Sequence, residues 1–210
     1  MNVKVIGCDL KSLRVELAHR ETFFCERGAL IYYEDGIEVA IDVRGSGIGG
    51  ALKRAITRVR LVPLTLRNAS ANLRKLMLAG CSGMLPLDLR AMGSGVICRG
   101  GYYIASSAKV DFDFKLNLGS FLGGTGLVMQ KIMGLGTVFM DSLGSAVRLD
   151  LKAAESIHVD EKSFVCASVA MQAQMSASFS GRGFVSGEGL SMFKVTGPGT
   201  VYVNSVNARP

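Results

Sequence analysis

An apolar–acidic–apolar triplet recurs along the 210-residue chain as Val15-Glu16-Leu17, Leu87-Asp88-Leu89 and Leu149-Asp150-Leu151, at offsets of 72 and 62 residues. Carried along the sequence, these offsets produce an ordered series of further matches. Glu26–Ile31 lies over Cys98–Tyr103 and over Asp160–Val165; after one skipped residue, Val39–Arg44 meets Val110–Lys115 and Met171–Ser176. The last two copies agree longest, Gly136–Ser142 repeating as Gly199–Ser205 at an offset of 63. Self-similarity at such a period means one supersecondary unit that buries its apolar face against copies of itself. The sequence therefore divides into three units, residues 1–80, 81–143 and 144–210, within one compact domain.

Each unit reads as strands. Val39, Ile41 and Val43 alternate with Ala40, Asp42 and Arg44, and Val110, Phe112 and Phe114 alternate with Asp111, Asp113 and Lys115. Period two with β-branched or aromatic residues on one side is the pattern of a half-buried strand. Leu13–Leu17 and Val147–Leu151 show it too, and Met171 and Met175 fall on one face of an expected strand. Gly-rich joints at Gly45–Gly50, Gly119–Gly126 and Gly181–Gly189 occupy equivalent places, and 26 Gly against 4 Pro suit many turns. The one helical candidate, Gly50–Val62, already alternates in its second half. The expectation is an all-β fold of three repeated units around a pseudo-threefold axis, with homo-oligomerisation covering the apolar face left over.

Charge is uneven. Of 24 basic residues, eight stand between Val43 and Leu87, where there is no Asp or Glu. Arg44, Lys53, Arg54, Arg58 and Arg60 are interleaved with Leu52, Ile56, Val59, Leu61 and Val62. Cations beside apolar side chains suit an anionic membrane surface, each contributing about 1 kcal/mol near the lipid. Cations alone would suit phosphate backbones, but this stretch has no aromatic residue for base stacking. The bland alternative is a solvated or internally neutralised loop.

Catalytic signals are poor. His19 and His158 sit at non-equivalent places and belong to no nucleophile motif. Asp111 and Asp113 read as a solvated strand face. Gly45–Gly50 fits G-x-G-x-x-G, but the acidic residue a dinucleotide site needs about 20 positions later is missing, and the loop recurs in the other units. Cys8, Cys25, Cys81, Cys98 and Cys166 form no C-x-x-C pair and read as reduced cytosolic thiols rather than a disulfide framework or zinc site. Only seven residues precede Cys8, too few for a lipid-attachment signal. Asn68-Ala69-Ser70 matches a glycosylation sequon, which carries no weight without secretion.

Val15–Ile41, Gly47–Ile56, Arg99–Phe114 and Gly187–Val206 together resemble the altered-inheritance-of-mitochondria, or mitochondrial biogenesis, family, over nearly the whole chain. The sequence departs from the family pattern at Arg58–Pro63. The resemblance implies a fold similar to the tryptophan RNA-binding attenuation protein: double-layered β units, of β-sandwich or double-stranded β-helix type, that assemble into rings or trimers. It brings no catalytic residues. The reading is thus a cytoplasmic, non-catalytic binding or scaffold protein without metal or cofactor, homo-oligomeric with a trimer favoured, and able to lie peripheral to an anionic membrane. Arg44, Lys53, Arg54, Arg58 and Arg60 carry its binding surface. Nucleic-acid backbone is the alternative partner, and no small-molecule substrate is evident.

Overall fold

Alternation at period two is met by strand: Ser12–Leu17 buries Leu13, Val15 and Leu17 and leaves the residues between them partly exposed. The computed structural model describes residues 1–41, 63–116, 128–178 and 192–206. The first part contains β1 (Asn2–Ile6), β2 (Ser12–Leu17), β3 (Thr22–Glu26), β4 (Leu30–Tyr33), β5 (Ile37–Ile41), β6 (Pro63–Asn68) and β7 (Arg74–Ala79). Next come β8 (Gly83–Asp88), β9 (Gly95–Arg99), β10 (Tyr103–Ser106), β11 (Val110–Leu116), β12 (Val128–Gly134) and β13 (Thr137–Ser142). The chain ends with β14 (Ala146–Leu151), β15 (Ser156–Asp160), β16 (Phe164–Ser168), β17 (Met175–Ser178), β18 (Met192–Thr196) and β19 (Gly199–Asn204).

One set of antiparallel connections recurs. In residues 12–79, β2–β7–β4 and β3–β6–β5 form two three-stranded layers. Residues 83–142 pair as β8–β13–β10 and β9–β12–β11, and residues 146–204 as β14–β19–β16 and β15–β18–β17. Even a β-bulge recurs, between Leu30 and Tyr32, Tyr103 and Ala105, and Phe164 and Cys166.

The layers then join end to end. Pairing of β10 with β3 builds the six-stranded sheet β5–β6–β3–β10–β13–β8, and pairing of β16 with β9 builds β11–β12–β9–β16–β19–β14. The four-stranded sheet β1–β2–β7–β4 and the three-stranded sheet β15–β18–β17 complete the described strands. Each pair of layers closes on an apolar core. The first contains Leu13, Phe23, Leu66 and Leu76, the second Leu89, Val96, Ile132 and Met140, and the third Phe164, Met171, Val195 and Val201. Burying side chains of this size stabilises by about 1.5–3 kcal/mol each, the main favourable term in a fold of short strands.

Three expectations are corrected. Met171 does not share a strand with Met175: Val169–Gln174 winds into a 3-10 helix, and only Met175–Ser178 is strand. Its Ala, Met and Gln residues lack the β-branching that favours strand, and buried Met171 fills the space above Gly199, where a Cβ would lie 2.5 Å from its sulfur. Secondly, Val39 and Ile41 are exposed rather than half-buried, because β5 lies at the end of its sheet. Thirdly, the ladders shift the alignment of the units: Cys25 rather than Glu26 lies over Cys98, and Leu30 rather than Ile31 over Tyr103, while Val39 aligns with Phe112 and Met175, since these oppose Leu66, Ile132 and Val195. At Val39 the slips are two residues in the second unit and four in the third, and an even slip preserves which face a side chain takes, so alternation cannot detect it.

Candidate binding surfaces

Arg44, Lys53, Arg54, Arg58 and Arg60, and the helical candidate at 50–62, lie outside the described residues, as do the three Gly-rich joints. The structure places the rest of the basic stretch. Arg67 is exposed on β6 opposite Glu38, and Lys75 is exposed on β7 opposite Glu16. Asn2, by hydrogen bonding, and then Arg14, Lys75 and Lys4, by their charge, hold the Glu16 carboxyl below its ordinary range. Arg74 donates from Nη1 to the Leu73 carbonyl at 3.3 Å, while its Nε is buried with no hydrogen-bond partner among the described residues. Two of these three cations therefore face a carboxylate across the ladder. Sheet pairing also brings Lys4 opposite Arg14, and Arg14 opposite Met77 and then Tyr32, forming a row of two cations and two apolar side chains. Sequence reading missed this row because its members are up to 73 residues apart. The available signal was that Lys4 and Arg14 each interrupt an apolar alternation.

The weaker candidates do not converge on a site. His19 is exposed, its Nδ1 lying 2.8 Å from the Ser70 carbonyl. His158 stands on β15 opposite Lys194, and Asp113 on β11 opposite Lys131. Among the described residues, no three His, Cys, Asp or Glu side chains gather as a metal cluster. Asn68 of the sequon is fully buried, and its amide donates to the Leu17 and Asn72 carbonyls at 2.8 Å, so it is engaged in holding the chain. Burial pushes the Cys25 thiol up to about 12 and also raises those of Cys98 and Cys166, while Cys8 and Cys81 are exposed.

Polar joints fix the units to each other. The Cys81 backbone N–H lies 3.0 Å from both carboxylate oxygens of buried Asp141, and the Ser142 N–H donates to the same group at 3.0 Å. A Cβ on Gly80 would sit 2.5 Å from that carboxylate, so the linker can approach only as glycine. Asp141 also raises the Cys81 thiol, through its hydrogen bond and its charge. At the corresponding end of β19, Asn204 accepts from the Leu143 N–H at 2.8 Å. Gln130 is different: fully buried on β12 beside Cys98, it has no hydrogen-bond partner among the described residues for either side-chain polar atom.

The remaining surface feature is the pair of strands β4 and β15, each at the end of its sheet. Ile31, Tyr32 and Tyr33 of β4 are large, apolar or aromatic, and exposed. The second and third units have Ile104-Ala105-Ser106 and Val165-Cys166-Ala167 at these places, and the small residues in place of Tyr32 and Tyr33 could have marked the difference in the sequence.

A family profile described as Mitochondrial biogenesis AIM24 matches residues 3–206. No curated protein matches the chain. Among solved structures, the crystal structure of protein SPYM3_0169 from Streptococcus pyogenes is similar, with a TM-score of 0.74 at 18% identity, covering 98% of this chain and 94% of that chain. At that identity the likeness shows the all-β fold alone.

Proposed function

Because the chain belongs to the mitochondrial biogenesis AIM24 family, we propose that it is a non-catalytic, oligomeric binding or scaffold protein that meets an anionic surface through its basic stretch. The observation that carries this reading is eight cations without one carboxylate between Val43 and Leu87, in a chain whose other basic and acidic residues nearly balance. Carboxylates of neighbouring strands face Arg67 and Lys75; of the six cations left, Arg74 is partly buried on β7, and the reading rests on Arg44, Lys53, Arg54, Arg58 and Arg60. Leu52, Ile56, Val59, Leu61 and Val62 among them favour a lipid surface over a bare phosphate backbone. Contact of this kind is peripheral, from the cytoplasmic side. No helix among the described residues is long and apolar enough to cross a membrane.

Vesicle flotation tests the reading. The protein should float with vesicles containing anionic lipid and not with neutral ones, and binding should weaken as salt rises. At about 1 kcal/mol per cation, changing the five cations to Gln should lower vesicle affinity by at least about a hundredfold. Failure to bind either vesicle type overturns the membrane reading. Steeply salt-dependent binding to random RNA in its place would reassign the surface to phosphate backbones.

A further inference from the structure

The chain contains two sealed joints between units, and they show what each free edge is built to receive. At the first, β10 lies on β3 with Ala105 opposite Cys25 and Ser106 opposite Phe24. At the second, β16 lies on β9 with Cys166 opposite Cys98 and Ala167 opposite Ile97. In both, the third strand of one unit pairs with the second strand of the unit before it. Two strands of these types are left at sheet ends: β4, the third strand of the first unit, and β15, the second strand of the last.

The cores repeat the message. The first core is completed by Met84, Ile104, Ala105 and Phe139, all from the following unit. The second is completed by Val165, Cys166 and Tyr202, with Ala146 packed against them, again from the following unit. Among the described residues, the third core has none from the first unit. The bulges and ladders identify the residues that would play this part: Ser12, Ile31, Tyr32 and Met77. Ile31 is 51% exposed and Tyr32 43%, whereas Ile104 is 3% and Ala105 0% exposed at the sealed joint.

We propose that β4 of one copy of this chain pairs antiparallel with β15 of a second copy, bringing Ile31, Tyr32 and Met77 over the partner's third core. The inference rests on the oligomeric part of the function proposed above. The occupant is a second copy because the chain leaves one strand of each mating type, and the two are not joined to each other in the folded monomer. Transferring the register of the sealed joints sets Tyr32 opposite Val159 and Tyr33 opposite His158. Aromatic side chains opposite β-branched or aromatic ones are favourable cross-strand pairs. Each copy offers two different edges, so the contact is head-to-tail and closes as a ring when the rotation per copy divides a full turn. Pairing also removes two exposed strand edges, which otherwise invite uncontrolled association.

Disulfide trapping tests this without lipid or RNA present. In a background carrying Cys8→Ser and Cys81→Ser, Tyr33→Cys and His158→Cys are made singly and together. Mixed single variants should give a covalent dimer on mild oxidation, and each alone should give none. The double variant should give a ladder of covalent multimers. A cross-link confined within one chain, a cross-link from either single variant alone, or no cross-link in any mixture would overturn the proposal. Sedimentation of the unmodified protein supplies a second readout: it should exceed the monomer mass, and Tyr32→Asp with Tyr33→Asp should return it to monomer. A sedimenting monomer overturns the proposal even where the cysteine variants fail to fold. Loss of vesicle binding by a protein that still cross-links in this pattern would remove the surface reading and leave the assembly standing. A monomer that still floats with anionic vesicles would do the reverse.

Discussion

Replacing Gln130 by Leu should stabilise the protein. Gln130 is fully buried, and neither its amide nitrogen nor its side-chain carbonyl oxygen meets a hydrogen-bond partner among the described residues. On β12 it stands opposite Cys98, as Leu64 on β6 stands opposite Cys25, so the fold already accepts Leu at the matching place in the first unit. Ile132, two residues on and on the same side of the strand, belongs to the second core. Burying an amide without hydrogen bonds costs about 1–3 kcal/mol in proteins. Relief of that cost should appear as a gain of similar size in the free energy of unfolding. For a chain of this length each 1 kcal/mol moves the Tm by about 2–4 °C. Urea unfolding followed by far-UV circular dichroism should show a higher midpoint at unchanged m. Gln130→Met should behave likewise, while Gln130→Ala should fall about 2 kcal/mol or more below Gln130→Leu, because it opens a cavity. If Leu and Met both destabilise by more than about 1 kcal/mol, the amide is satisfied, for instance by a buried water, and the reasoning is refuted.

Two further outcomes follow from the thiols and the polar joints. Iodoacetamide under native conditions should modify exposed Cys8 and Cys81 and spare Cys25, Cys98 and Cys166, which should react only in denaturant; intact mass showing three rapid adducts would contradict their burial. Asp141→Ala should cost about 1–3 kcal/mol, since it strands the N–H groups of Cys81 and Ser142. Asp141→Asn should shift the pH profile of Cys81 alkylation downward, because the carboxylate raises that thiol and removing its charge lowers it again; an unmoved profile would show that the carboxylate does not act on the thiol.

Much of the architecture was legible in the sequence, and the limits have physical causes. Alternation at Leu13–Leu17, Val110–Lys115 and Val147–Leu151 marked strands that the structure contains. Alternation reports faces but not partners, so it could not tell that Val39 aligns with Phe112 rather than with Val110. Nor could it show that β5 ends a sheet and leaves Val39 and Ile41 in contact with solvent. The Met171–Met175 spacing suits either a strand face or a turn of helix, and packing over Gly199 decided for the turn. The basic stretch was visible as a count of charges. What faces two of its cations was not, because Glu16 and Glu38 come opposite Lys75 and Arg67 only through the sheet ladders. The Lys4–Arg14–Met77–Tyr32 row likewise exists only once β1, β2, β7 and β4 have paired.

Differences between the units are more informative than their likeness, and they gather where the series of units stops. At the sealed joints the strand that crosses to the preceding unit has Ala105-Ser106 and Cys166-Ala167, small residues that fit beneath a neighbouring layer already filled by Phe23 or by Val96 and Ile132. Tyr32 and Tyr33 in those places would overfill such a joint, and overpacking typically costs about 1–3 kcal/mol. On β4 they meet no such constraint among the described residues, since no preceding unit covers them there. The edge proposed to receive β4 differs in the same sense: β15 has Val159 and His158 where β3 has Cys25 and Phe24 and β9 has Cys98 and Ile97. An edge whose two sides both depart from the internal pattern can tell its own kind from the internal joints, because exchanging either side would clash or leave a void. Specificity of this sort arises from rejecting wrong pairings as much as from favouring the right one, and it would let three similar units fold in a fixed order before copies of the chain associate.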